Sequence, residues 1–284
     1  MSKYKESIMK TIFFVAASTS ILAVALICLF LFINGIPAMT KIGIFDFLMG
    51  TTWKPNNTPP SFGILPMILG SIYVTAGAAV IGVPIGILTA VFMAHYCPPK
   101  LYRILKPAIN LLAGIPSIVY GFFGLVVIVP FIRDTFGGAG ISMLAASILL
   151  GIMILPTIVG ISESAIRAIP QSYYEGALAL GASHERSIFF VILPAAKSGI
   201  MAAIVLGIGR AIGETMAVIM VAGNQARMPA GLLKGVRTLT ANIIIEMGYA
   251  AELHREALIA TSVVLFVFIL IINLLLSLLK RRTG

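Results

Sequence analysis

The sequence predicts an all-α integral membrane protein with six transmembrane helices. Of its 284 residues, 59% are hydrophobic and only 11% are charged, against about 25% charged in soluble domains. A soluble domain of this length could not hide so much apolar surface, so lipid is the solvent for most of the chain. Apolar runs of the roughly 20 residues needed to span a bilayer recur six times. The basic residues lie between these runs. For that reason the net charge of +10 reads as a set of orientation signals, with no dense stripe for nucleic acid.

The first run, 11–33, follows Lys3, Lys5 and Lys10. It exceeds the roughly 7–15 residues of a signal-peptide core and reads as a retained anchor. With the loop after it, it forms a unit 1–62 ahead of a core domain 63–284. The second run, 63–94, is bracketed by Pro59-Pro60 and Cys97-Pro98-Pro99, and no charge occurs between Lys54 and Lys100. The remaining runs are 107–131, 140–162, 198–222 and 257–279. The second carries Gly63, Gly70, Gly77, Gly82 and Gly86 with Pro66 and Pro84; the third carries Gly114, Pro116, Gly121 and Gly124. Small residues let helix backbones approach closely in lipid, which predicts a tight bundle. Proline and glycine also suit broken helices beside a translocation path, and both meanings stand at this point.

Six spans put both termini on one side. On that side, segments 1–10, 95–106, 163–197 and 280–284 carry three Lys or Arg each, twelve in all, against seven in the opposite loops. Positive residues mark the cytoplasmic side. Both termini and the interval 163–197 are therefore expected in the cytoplasm.

That interval is the most informative part of the chain. Pro170 suits a first helical turn, and Ser172-x-x-Glu175 has the form of a capping box. Gly181 is placed to end the helix in a left-handed conformation. Ser183 can cap a second helix that has Glu185 in its first turn and runs to Pro194. Two short helices joined by a tight turn make a rigid knuckle, suited to a partner's groove or, on capping signals alone, equally to the lipid headgroups. Its Glu175-Gly176-Ala177, Gly181, Leu193 and Pro194 also match, in spacing, the cytoplasmic loop by which ABC-importer permeases dock onto their ATPase. Gly176 stands for the first alanine of that pattern and Val191 for its isoleucine. A match of this kind is a hypothesis until its context agrees.

Only the fifth run has charges near its middle, in Gly209-Arg210-Ala211-Ile212-Gly213-Glu214-Thr215-Met216-Ala217. Arg210 and Glu214, four apart, would share a helix face and pair. An ionised side chain at mid-span costs about 2.5–3.5 kcal/mol even on insertion scales, so the pair either fixes packing or lines a polar path. This segment, with Gly114-Ile115-Pro116-Ser117-Ile118-Val119-Tyr120-Gly121, resembles the permease subunits of the phosphate ABC importer, PstC type. The resemblance covers roughly residues 60 to 280. It implies a MetI-like, type I importer bundle forming half of a phosphate pathway in a bacterial or archaeal cytoplasmic membrane. It also implies its partners: a second, PstA-like permease subunit, two ATP-binding subunits and an extracytoplasmic phosphate-binding protein. Arg210 would meet phosphate, with Glu214 tempering its field and Thr215, Ser117 and Tyr120 as neutral hydrogen-bonding neighbours.

The chain contains no GxxxxGK[ST] loop, so ATP would be bound by the partner subunits and no cofactor by this chain. Cys28 and Cys97 form no CxxC, and His95, His184 and His254 are isolated, so no metal site is expected. No Ser/His/Asp or two-carboxylate constellation suggests an enzyme. An importer for sulfate, molybdate or phosphonate is the nearest alternative. A proton-coupled secondary transporter, which would carry internal repeats and ionisable relays, fits less well, and a membrane scaffold or intramembrane enzyme is the third class.

Overall fold

A computed structural model describes residues 2–283. The side chains of 1–4, 276, 277 and 279–284 lie outside the description, and with them Lys3, Lys280, Arg281 and Arg282 of the charge count. The chain starts with α1 (Ser2–Ile42) and α2 (Ile44–Met49), then a two-stranded hairpin of β1 (Trp53–Lys54) and β2 (Ser61–Phe62), paired Trp53 to Phe62. The helix α3 (Leu65–Val91) continues through a π-helical turn at 92–96, and α4 (Pro99–Gly114) follows. Next come α5 (Ser117–Phe123), a second π turn, α6 (Val129–Phe136) and α7 (Met143–Arg167). The polar interval holds α8 (Gln171–Ala179), α9 (His184–Ser187), a third π turn and α10 (Leu193–Ala195). The last elements are α11 (Lys197–Gly213), α12 (Met216–Val221), α13 (Leu239–Met247) and α14 (Glu252–Thr283).

Among the described residues, five segments are long and apolar enough to cross a membrane: 5–42, 65–96, 117–136, 143–167 and 252–275. A sixth arises if α9–α10 and α11, bent by 68° at Ala196, count as one span. The expected third span, 107–131, is corrected. Residues 107–114 belong to α4, an amphipathic helix with no buried residue, and the span begins at Ser117. Pro116 is the cause: it disfavours helical backbone at the residue before it, and Ile115 is extended with ψ 127°. The polar interval also starts later than expected, because α7 stays helical through Arg167.

The bundle is built on α3 against α7. Gly77 faces Ser147, Gly82 faces Ile154 and the Gly151 carbonyl, and Gly86 faces Ile158, so close that a methyl group at any of the three would collide. Ser147 Oγ donates to the Val74 carbonyl across this seam at 3.4 Å. Around it lies a core of Ala78, Leu149, Leu150, Met153, Ile154, Val218 and Val221. Helix α7 also takes α11, where Gly207 meets Ile158 and Gly199 meets Ala165.

Helix α1 leans on α14 through Gly35 against Val263 and Ala260, and through the edge-on rings of Phe32 and Phe266 at 6.0 Å. At the end remote from the polar interval, buried Glu246 accepts from Trp53 Nε1 at 2.8 Å and from Arg237 at 2.5 Å, and meets His254 Nε2 at 2.8 Å. That carboxylate ties the hairpin to α13 and α14. Burying it costs less because each oxygen has a donor.

Candidate functional site

The fifth expected span is two helices. Helix α11 ends at Gly213, Glu214 is extended at φ −70° and ψ 132°, and α12 starts at Met216. The Arg210–Glu214 pair expected from the spacing does not form. Once the helix stops at Gly213, residues four apart no longer share a face. Glu214 Oε1 instead accepts the backbone N–H of Thr215 at 3.0 Å and of Ala217 at 3.4 Å. The carboxylate therefore satisfies donors that the start of α12 leaves without a helical partner. The Glu214 carbonyl accepts from Thr240 Oγ1 at 3.2 Å, which pins the break to α13, and Thr215 Oγ1 donates to the Gly213 carbonyl at 3.2 Å.

Arg210, in the last turn of α11, is exposed and has no ion-pair partner among the described residues. Its nearest polar contact is Thr157 Oγ1 on α7, at 3.5 Å. An unpaired guanidinium at a helix break presents planar paired donors to an oxyanion. Discontinuous helices serve membrane proteins in this way, because the broken backbone is tolerated where protein or a polar cavity covers it.

The second break, at Ile115–Pro116, adjoins the first. Helix α5 packs on α12, with Gly121 against Ala217 and Met220. Buried Tyr120 donates its hydroxyl to the Leu112 carbonyl at 2.9 Å, across the interruption between α4 and α5. Ser117 is half-buried at the first residue of α5. Arg210, Glu214 and Thr215 thus surround one break, and Ser117 and Tyr120 surround its neighbour.

The knuckle is also present. Helix α8 ends with Gly181 at φ +82°, where Gly181 N donates to the Leu178 carbonyl at 2.9 Å and Ala182 N to the Ala177 carbonyl at 3.1 Å. This is the paired closure in which a left-handed glycine satisfies the last free carbonyls. Ser183 Oγ accepts from Arg186 N at 3.3 Å and starts the next helix. Tyr174 OH and His184 Nδ1, 2.7 Å apart, join the two helices.

The capping box at Ser172 is not formed. Pro170 holds the cap position and Ser172 lies inside the first turn, so the Glu175 carboxylate stays exposed with no hydrogen bond among the described residues. Ala177 is buried, Gly176 has open space around it and Leu180 at the tip is 91% exposed. Leu193 packs into the core beneath the knuckle, and Pro194 is exposed.

Composition and spacing missed what holds α4 and the end of the second span to α7, next to the knuckle. Glu163, with its side chain 1% exposed, accepts from Tyr102 OH at 2.7 Å, Lys106 Nζ at 2.5 Å and Arg167 Nε at 2.8 Å. Arg167 also donates to the Met93 carbonyl at 2.7 Å and lies over the Tyr102 ring at 4.6 Å. The hydrogen bond to Glu163 pushes the Tyr102 phenol above its usual pKa, since ionising it would place a second negative charge there. One signal was readable: Glu163 and Arg167 stand at i and i+4.

Known proteins place the fold and its family. Residues 82–284 match the family described as binding-protein-dependent transport system inner membrane component. The chain is 42% identical to a probable ABC transporter permease protein, YqgH, of Bacillus subtilis, over 88% of this chain and 84% of that one. It is 35% identical to the phosphate transport system permease protein PstC of Mesorhizobium japonicum, over 89% and 84%. Among solved structures, the inward-facing MetNI methionine ABC transporter aligns with a TM-score of 0.63 at 22% identity, over 78% of this chain and 96% of that one. The chain belongs to the family of inner-membrane components of binding-protein-dependent transport systems, with the fold of ABC importer permeases of the MetI type.

Proposed function

We propose that this chain is the permease subunit of an ATP-driven phosphate importer and forms half of its pathway. The carrying observation is the exposed guanidinium of Arg210, without an ion-pair partner among the described residues, at a break in a membrane helix, in a chain whose relatives include a phosphate permease. Arg210 binds phosphate oxygens in passing. Glu214 and Thr215 hold the break open, and Tyr120 and Ser117 shape the neighbouring one. Glu214 caps α12, so its negative charge stays near the path without neutralising Arg210. Conduction needs such weak binding to allow exit.

The knuckle within 163–197, through Glu175, Gly176, Ala177, Gly181, Leu193 and Pro194, docks one of two ATP-binding subunits. A PstA-like sister permease completes the pathway, and an extracytoplasmic phosphate-binding protein feeds it. Both termini face the cytoplasm, on the charge bias of the loops. ATP is bound by the partners, and this chain performs no catalysis of its own. Residues 1–62 serve as an accessory anchor beside the core domain 63–284.

The test is ATP-driven phosphate uptake by the assembled transporter in proteoliposomes. Arg210→Gln should lower uptake at least tenfold while the ATP-binding subunits still co-purify. Unchanged uptake would remove Arg210 from the path. Competition by sulfate or molybdate equal to that by phosphate would make the substrate another oxyanion.

A further inference from the structure

Beside the Glu163 network a cavity of about 330 Å³ opens between the knuckle and the ends of two membrane helices. Its polar lining is His95 from the end of the second span, Arg167 from α7, and Gln171 and Tyr174 from α8; isoleucines and Ala94 form the rest of the wall. His95 Nε2 is buried there with no hydrogen-bond partner among the described residues, although a buried polar nitrogen without one is costly. The His95 and Tyr174 rings stack at 6.4 Å, and the Tyr174 hydroxyl is already engaged by His184. The acid beside the cavity, Glu163, is saturated by three donors, and two cations, Lys106 and Arg167, face that single carboxylate.

We propose that this cavity binds a small tetrahedral oxyanion of the phosphate class, held by Arg167, His95 Nε2 and the Gln171 amide. The guanidinium is fixed in advance by Glu163 and the Met93 carbonyl, so little of its freedom is lost on binding. An anion here bridges the second span and α7 to α8, and so favours one angle of the knuckle over others. The site's proposed ligands lie 39 to 115 positions from Arg210 along the chain, and the site shares none of the residues at the Arg210 break. It is a regulatory site that senses the anion on the knuckle's side of the membrane. The ligand's identity as phosphate rests on the proposed function, whereas the cavity's preference for an oxyanion does not.

The test is calorimetric titration of the full chain in detergent with orthophosphate, in an Arg210→Gln background so that the membrane arginine contributes nothing. Binding should weaken at least tenfold on adding His95→Leu or Gln171→Leu, and His95→Gln should restore most of it by returning a donor. Melting curves matching the parent show that the variants are folded. Equal binding by all variants, or none by the parent, overturns the site. So does a parent that ignores orthophosphate and binds only the headgroup phosphate of added phosphatidylglycerol.

In the assembled transporter, phosphate on the ATPase side should slow ATP hydrolysis relative to each variant's own phosphate-free rate, and His95→Leu should relieve the slowing. Slowing that persists undiminished in His95→Leu belongs to the ATP-binding subunits and overturns the regulatory role. A transporter that imports a different oxyanion would leave the binding result standing, so the two readings fail separately.

Discussion

Two of the chain's helix breaks, at Gly181 and at Glu214, are closed by opposite means. At Gly181 the backbone closes itself: a left-handed glycine returns two N–H groups to the last carbonyls of α8. At Glu214 side chains do the work, a carboxylate for the N–H groups of α12 and the Thr240 hydroxyl for the carbonyl between the helices. The surroundings account for the difference. The knuckle's exposed residues can leave any remaining polar group to water. A break inside a span has little water to fall back on, and each unpaired group there costs several kcal/mol. A membrane break therefore needs partners from elsewhere in the chain, here from α13.

This contrast can be tested by how much each closure contributes. The largest effect is expected at the membrane break. Glu214→Leu leaves the Thr215 and Ala217 N–H groups unpaired and should destabilise the detergent-solubilised protein by about 2–3 kcal/mol, whereas Glu214→Gln, still an acceptor, should cost much less. Next comes Gly181→Ala. Nothing lies within 4 Å of a methyl group there, so the cost is backbone strain alone, about 1–2 kcal/mol. Its structural effect should stay local to the knuckle in hydrogen exchange. Thr240→Val removes the donor to the Glu214 carbonyl and the hydroxyl contact with Thr238, and should cost about 1–2 kcal/mol, comparable to Gly181→Ala. Thermal midpoints of the three variants rank them. A Gly181→Ala loss exceeding that of Glu214→Leu would reverse the contrast.

The same difference decided what could be read from the sequence. The knuckle's closures are local: Gly181 and Ser183 act on residues within three or four positions, and both were legible. Five of the expected spans lie in apolar helices near their expected positions, because length and hydrophobicity report lipid burial directly. The break at Glu214 was illegible because Gly213-Glu214-Thr215 contains no proline and its stabilising partner, Thr240, is 26 residues away. A helix that ran on would have paired Glu214 with Arg210, so the unseen break produced the wrong ion pair. Pro116 was legible as suiting either tight packing or a broken helix, and sequence alone did not choose between them, so the expected third span ran through it. Glu163 escaped as well, since two of its donors come from α4, some 60 residues earlier.

The open space around Gly176 carries one more consequence. An alanine would fit there without contact, yet glycine gives up about 1 kcal/mol of helix propensity relative to alanine. That makes local melting of the nine-residue α8 roughly fivefold more frequent than an alanine would allow. Left alone, the elbow is a softened spring; docked as proposed, it would stiffen. Part of the partner's grip would then go into winding the segment tight, so engagement itself would set how faithfully a push at one end reaches the other.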